Sequence, residues 1–236
     1  MPMVVDFHSH LLPLVDDGSK SIDESIALLR MEAEQGIRRV VATPHFYPQH
    51  DSPDRFLKRR EMAERELRDA MREHAGLPEL SIGAEVYYYR GISDSDVISE
   101  LTIDNKRCIL IEMPGSPWTD VMYRELEALY VRRGLTPIIA HLDRYIGRFR
   151  TFGIPKRLAE LPVMVQANAD FFLDRATSSM AMRMLSHGGI HLLGSDCHNL
   201  DTRKPNLGEA VDRIRKRLGD DALMRINACE QDVLGG

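Results

Sequence analysis

Histidines and carboxylates recur along this sequence in short groups suited to binding a cation. His8 and His10 stand two residues apart, with Asp16 and Asp17 close behind. His45 follows a Thr-Pro pair, Glu85 and Glu112 lie in apolar surroundings, His141 ends another apolar run, and Asp196 and His198 again stand two apart. Residues two apart on an extended chain project to the same side. An unpaired buried carboxylate costs several kcal/mol, so Glu85 and Glu112 each demand a cationic partner. A structural arginine is one such partner. Mixed imidazole and carboxylate donors without a thiolate suit Mn, Fe or Zn, and acidic donors in this number suit more than one ion. The chemistry implied is metal-assisted hydrolysis.

These groups need elements to bring them together. Apolar runs rich in β-branched residues at 3–7, 39–42, 80–86, 107–111, 136–140, 163–166 and 190–193 read as strands buried on both faces. Between them lie helical patterns. Ser21 and Glu24 have capping-box spacing, with apolar Ile22, Ile26 and Leu29 following on one face until Gly36 stops the helix. A charged helix is expected over 53–74, and further helices over 120–133, 177–187 and 207–218. Alternating strand and helix over about seven cycles favours an α/β barrel over an open sheet. In a parallel barrel the C-terminal strand ends carry the active site. Six of the seven predicted strands deliver a histidine or carboxylate to that rim, and the run at 163–166 alone does not. His50, His74, His187 and His191 read as packed or surface histidines, with His187 near a helix end where positive charge is welcome.

Composition sets the outer limits. A chain of 236 residues with 43% hydrophobic content buries a large core, and one domain spanning 1–236 is expected. No apolar run reaches the length of a membrane span, and the start of the chain lacks signal-peptide features, so a soluble, cytoplasmic protein is expected. Three cysteines, Cys108, Cys197 and Cys229, are too few and too scattered for a disulfide framework or a structural zinc knuckle. A net charge of -5 argues against a nucleic-acid surface built on bulk positive charge.

The segments FHSHLLPLVDDGSKS, GAEVYY, TPIIAHLDRY and SDCHNLDTR resemble the polymerase-and-histidinol-phosphatase (PHP) superfamily, in order and over nearly the whole chain. The closer likeness is to the bacterial protein-tyrosine phosphatases encoded with capsule and exopolysaccharide genes. The resemblance implies a distorted seven-stranded α/β barrel, (β/α)7 and TIM-like, holding three divalent ions, commonly manganese, with iron or zinc as alternatives. It places His8, His10, Glu85 and Asp196 on a first ion, and a bridging Glu85 with Glu112 and His141 on a second. Asp17, His45 and His198 fall on a third, and Arg144 and Arg203 match arginines that grip the substrate phosphate. Asp143 departs from the family pattern, which has Glu there, and bears on the geometry around the ligands.

The reaction so implied is hydrolysis of a phosphate ester by a hydroxide bridging two ions, with the third ion and the arginines neutralising the phosphoryl oxygens. The expected substrate is a phosphotyrosine protein or peptide, such as a bacterial tyrosine kinase of polysaccharide synthesis. Tyr87, Tyr88, Tyr89, Trp118 and the arginines of 144–150 are candidates for a phosphopeptide mouth. Other readings share the same residues. Cys197 and Arg203 have the C-x5-R spacing of cysteine-dependent phosphatases, but the intervening HNLDT is bulky and acidic, and Asp196 opposes a low-pKa thiolate. Histidinol phosphate or another small phosphomonoester would fit the same metal set. A nuclease would want a basic stripe with interleaved aromatics. A metal-stabilised, non-catalytic regulator of a kinase would have every coordination position filled by protein.

Overall fold

Parallel strands covered on both faces favour apolar side chains. The strands Cys108–Glu112 and Thr136–Ile139 are largely apolar, while Val5–Ser9, Glu79–Ile82 and Met164–Asn168 carry buried polar residues such as Asp6, Ser81 and Gln166. The computed structural model describes residues 4–146 and 153–235. Along the chain come β1 (Val5–Ser9), α1 (Ile22–Glu34), β2 (Arg39–Ala42), β3 (His45–Phe46), α2 (Pro53–Met71), β4 (Glu79–Ile82), β5 (Glu85–Tyr87), β6 (Cys108–Glu112), α3 (Asp120–Arg133) and β7 (Thr136–Ile139). Then follow α4 (Gly153–Leu158), β8 (Met164–Asn168), α5 (Ala169–Leu173), α6 (Ser178–Ser186), β9 (Leu192–Gly194), α7 (Leu207–Leu218) and α8 (Asp220–Gly235).

Every strand pairing is parallel, in the orders β1-β2-β4 and β3-β5-β6-β7-β8-β9. One predicted strand is broken into two, and another keeps its bounds but is followed by a short strand that was not expected. The run at 39–42 resumes as β3 after Pro44, which has no N–H to donate, and the His45 N–H turns to Asp16 Oδ2 at 2.9 Å. The run at 80–86 breaks between Ile82 and Glu85, although Gly83 N–H still reaches Ala42 O at 2.9 Å. The last strand returns to the first. Asp196 N–H donates to His8 O at 2.7 Å, His10 N–H donates to Cys197 O at 2.8 Å, and Ser9 bridges Cys197 in parallel. The sheet is therefore curled, and side chains from its separate strands meet in one apolar cluster. Val5, Phe7, Val41, Leu110, Ile138 and Leu192 pack there with Val233 and Leu234 of α8.

The helix starts follow their caps. Ser21 Oγ accepts the Glu24 N–H at 3.1 Å, but the Glu24 carboxylate takes the Lys20 N–H at 2.7 Å instead of closing a reciprocal box. Ser52 Oγ caps α2, with Pro53 in the first turn, and the helix stops three residues short of position 74. Helices α3 and α7 keep their expected bounds. The sequence patterns miss α4, and also α5, which follows β8 with no intervening loop, and α8, which follows α7 across Gly219 alone.

Helix α8 seals the N-terminal end of the sheet, opposite the ligand-bearing rim. Glu230 Oε1 accepts the Val5 N–H at 3.1 Å, and Lys106 Nζ donates to Leu234 O. Burial pushes the Glu230 carboxyl up to about 7, against the pull of the Val5 N–H and Asn227. Between 4.5, its ordinary value, and about 7, the unfolded chain releases a proton that the folded chain keeps. Stability therefore falls as pH rises through that window and is flat above it. Glu230→Gln is expected to match the wild type near pH 4 and exceed it at pH 8 by about 3 kcal/mol, at ~1.4 kcal/mol per pH unit. Urea denaturation of chelator-treated protein measures this, and a pH-independent difference between the two proteins contradicts it.

Candidate metal centre

The C-terminal ends of β1, β6 and β7, the first residues of β3 and β5, and the turn after β9 bring the expected ligand side chains to one place. Glu85 stands at the centre, 1% exposed. Its Oε2 lies 3.1 Å from His8 Nε2, 3.3 Å from His10 Nε2 and 2.9 Å from His45 Nδ1. Its Oε1 lies 2.7 Å from His141 Nε2. Asp196 Oδ1 is 3.6 Å from His8 Nε2 and 3.4 Å from His10 Nε2. Glu112 lies 3.7 Å from His141 and 4.0 Å from His45. Asp17 Oδ1 reaches His45 Nε2 at 3.7 Å and His198 Nε2 at 3.5 Å. Donor atoms cluster as His8, His10 and Glu85, as His45, Glu85 and Glu112, and as His10, Asp17, His45 and His198. The first group is buried, while Asp17 and Glu112 stand nearer solvent, so the cluster opens outward.

Proton placement tests whether these residues fit metal ions. His10 Nδ1 lies 2.7 Å from Asp16 Oδ2, and His8 Nδ1 lies 3.2 Å from Gln166 Oε1, both groups that only accept. Each ring therefore carries a proton on Nδ1 and turns Nε2 inward, and the two Nε2 atoms face each other at 3.1 Å, too close for both to be protonated. His198 repeats the arrangement. Its Nδ1 lies 3.0 Å from Asp196 O, and its buried Nε2 has no hydrogen-bond partner. Imidazoles that donate outward from Nδ1 and aim Nε2 at carboxylates are arranged as metal ligands are. The donor set fits divalent ions.

The local fold supports this at some cost. Gly18 is required because a Cβ there would lie 2.0 Å from His10 O, where the loop returns to give the Ser19 N–H to His10 O at 3.0 Å. His141 and Asp196 have φ of 33° and 56°, a left-handed region that side-chain-bearing residues rarely enter. Burial alone would push Glu85 and Asp196 toward the neutral form, but the surrounding histidines hold both carboxyls well below the usual range. Burial and the charge of Glu85 push Glu112 up. Burial, with the charges of His10 and Arg203, lowers His198 to about 4.

Arg144 and Arg203 both reach the site. The Arg144 Nη2 bonds Asp196 Oδ2, and Arg203 Nη2 lies 2.8 Å from Asp196 Oδ1. Asp143 stands outside the donor groups, and its Oδ1 accepts the Asn168 N–H at 3.1 Å. Of the tyrosine run only Tyr87 belongs to the mouth. Tyr88 is buried with its hydroxyl on Glu125, Tyr89 packs on the core, and Trp118 meets Tyr123 at a tilt and Tyr145 edge-on. Arg148 and Arg150 lie outside the described residues. His50, His74, His187 and His191 stand apart from the cluster.

A cysteine mechanism does not fit. Cys197 is fully buried, and burial with the nearby Glu32 and Asp6 pushes its thiol well above the ordinary range. The backbone N–H groups that would have to cradle a phosphate are consumed locally. Those of 198 and 199 bond Arg203 O, and those of 201, 202 and 203 bond Asn199 Oδ1.

The sequence reading overlooked Tyr47, Gln166 and Asn168. Tyr47 stands two residues beyond His45 on the same strand face, which is the signal that could have found it.

Comparison with known proteins agrees with the geometry. A family model described as capsular polysaccharide synthesis, CpsB/CapC, matches residues 4–232. The tyrosine-protein phosphatase CpsB of Streptococcus pneumoniae is 30% identical over 234 residues, covering 92% of this chain and 91% of that one. The tyrosine-protein phosphatase YwqE of Bacillus subtilis (strain 168) is 27% identical over 230 residues, covering 92% and 86%. Among solved structures, work on YwqE and CpsB, described as metal-dependent tyrosine phosphatases, provides a match with TM-score 0.86 over 98% of this chain and 94% of that one. At 23% identity that likeness speaks for the fold. The chain belongs to the CpsB/CapC family of capsular polysaccharide synthesis proteins.

Proposed function

We propose that this protein is a metal-dependent protein-tyrosine phosphatase acting on a phosphotyrosine protein, with a bacterial tyrosine kinase of polysaccharide synthesis as the substrate class. The observation that carries the reading is the convergence of imidazoles and carboxylates on Glu85 beside two arginines. We read the curled sheet as a distorted (β/α)7 barrel in one domain, with β2 and β3 serving as one barrel strand and β4 and β5 as another. We place the protein in the cytoplasm. Among the described residues no helix is long and apolar enough to cross a membrane.

His8, His10, Glu85 and Asp196 would hold one ion, Glu85, Glu112 and His141 a second, and Asp17, His45 and His198 a third, with manganese expected. Ions bound there supply Lewis-acid charge to a phosphoryl group and acidify water toward a pKa of about 7. The chain's own residues do the rest. Arg144 and Arg203 are anchored on Asp196 and keep 39% and 38% of their side chains exposed, so each guanidinium is fixed yet open to phosphoryl oxygens. Both line a polar cleft that includes Asn168, Asp196 and Lys204.

The aryl preference comes from the layer above the ligands. Tyr47 and Tyr87 stand two residues beyond His45 and Glu85, on the same strand face and nearer the rim. Their ring centroids are 5.5 Å apart, Tyr47 stacks on His45 at 4.9 Å, and its hydroxyl donates to Glu112 Oε2 at 3.3 Å. A phenyl ring bearing the phosphate packs on this wall. Its phenolate, with a pKa of about 10, departs without a strong general acid.

Chelation is expected to abolish turnover and lower the melting temperature. Restoring Mn2+ at a hundredfold excess over its dissociation constant should return about 2.7 kcal/mol of stability per site. His141→Ala should stay folded, bind one ion fewer and lose most activity, and unchanged metal content and turnover in that variant would defeat the assignment. The wild type should turn over a phosphotyrosine peptide in preference to histidinol phosphate. Tyr87→Leu should raise KM for the peptide by about 2- to 10-fold, the value of one aromatic contact, and leave histidinol phosphate unaffected. Equal effects on both substrates would remove Tyr87 from leaving-group recognition.

A further inference from the structure

Strand β8 contributes no histidine or carboxylate to the rim, yet it presents two amides there. Gln166 and Asn168 are two residues apart on one face, the first fully buried and the second 7% exposed. Gln166 Oε1 lies 2.7 Å from the His141 N and 3.2 Å from His8 Nδ1. Gln166 Nε2 lies 3.0 Å from Asn168 Oδ1, and Asn168 Nδ2 lies 3.0 Å from Asp196 Oδ2.

The direction of this chain is fixed at both ends. A backbone N–H only donates, so the atom of Gln166 facing His141 must be its oxygen, and the other amide atom must be the donor. Asn168 then accepts with its oxygen and gives its own N–H to Asp196, a carboxylate that only accepts. With Gln166 Oε1 as acceptor, His8 must carry a proton on Nδ1, which leaves Nε2 as the atom it can offer to a metal ion. The same oxygen ties down the N–H of His141, whose backbone occupies the left-handed region at φ 33°. Space for the relay is made by Gly194 on β9. A Cβ there would lie 2.6 Å from His8 Cβ and 2.7 Å from Gln166 Nε2.

We infer that Gln166 and Asn168 form a polarised amide relay that positions three metal-binding groups at once: the tautomer of His8, the backbone of His141 and the carboxylate of Asp196. Neither amide is itself a ligand. The inference rests on reading these three residues as metal ligands, and β8 thereby serves the site through hydrogen bonds where the other strands serve it through donors.

The test uses the full chain, stripped by chelation and titrated with Mn2+, together with long-range 1H–15N spectra of the imidazoles in the stripped protein. Gln166→Met keeps the volume but removes acceptor and donor. It should weaken binding of at least one Mn2+ by about 10- to 100-fold, the usual consequence of losing a partner behind a ligand, and shift His8 away from the Nδ1–H form. Gln166→Glu retains the acceptor and should restore the His8 tautomer and most of the affinity. Asn168→Ala should leave the His8 tautomer unchanged while weakening Mn2+ binding through Asp196. Wild-type affinity and an unchanged His8 spectrum in Gln166→Met, or wild-type affinity in Asn168→Ala, would overturn the relay. If Gln166→Met does not fold, the Gln166→Glu and Asn168→Ala proteins decide the question by the same readouts. Wild-type chain that binds no Mn2+ would sink the metal reading instead, and the His8 spectra would still decide whether Gln166 sets the tautomer.

Discussion

A carboxylate cannot be taken out of water without a positive partner, and Glu85 is almost completely out of water. Four imidazole rings approach its two oxygens within 3.3 Å. Protonated rings would satisfy it in principle. The outward hydrogen bonds of His8 and His10 to acceptor-only groups keep a proton on the far side of each ring, and their Nε2 atoms, 3.1 Å apart, leave no room for a second proton on both. Such an arrangement is satisfied by cations held between the groups, and the rest of the rim is built around that need.

The fold divides its two ends accordingly. At the N-terminal end, α8 covers the strands with apolar side chains and a neutralised buried carboxyl. At the C-terminal end, strand ends place polar groups over an apolar cluster that gives them a rigid floor. Two residues at this end, His141 and Asp196, sit in backbone conformations that cost about 1–3 kcal/mol each. The His141 N–H donates to Gln166 Oε1 and the Asp196 N–H to His8 O, and these bonds hold them there.

Much of this was legible in the sequence because it depends on local rules. Apolar runs fixed the strand positions, and pairs such as His8 with His10 and Asp196 with His198 followed from the period of two. Less was legible where the outcome depends on what lies across space. The residues before Glu85 broke one expected strand, and β3 resumed beyond Pro44 where none was expected, which an apolar run does not reveal. Tyr87 and Tyr88 are adjacent and of one type, yet alternation sends one to the mouth and the other to Glu125. Gln166 and Asn168 carried no signal because amides are unremarkable in sequence. Their role appears only when His141 and Asp196, 25 and 28 residues away, come into contact with them.

The central claim is a multinuclear metal centre organised on Glu85, and anomalous diffraction tests it most directly. Crystals grown with Mn2+ and measured on both sides of the manganese absorption edge are predicted to show three anomalous peaks. One should lie among His8, His10, Glu85 and Asp196, one among Glu85, Glu112 and His141, and one among Asp17, His45 and His198. Peaks confined to other residues, or no anomalous density around Glu85, would contradict the account.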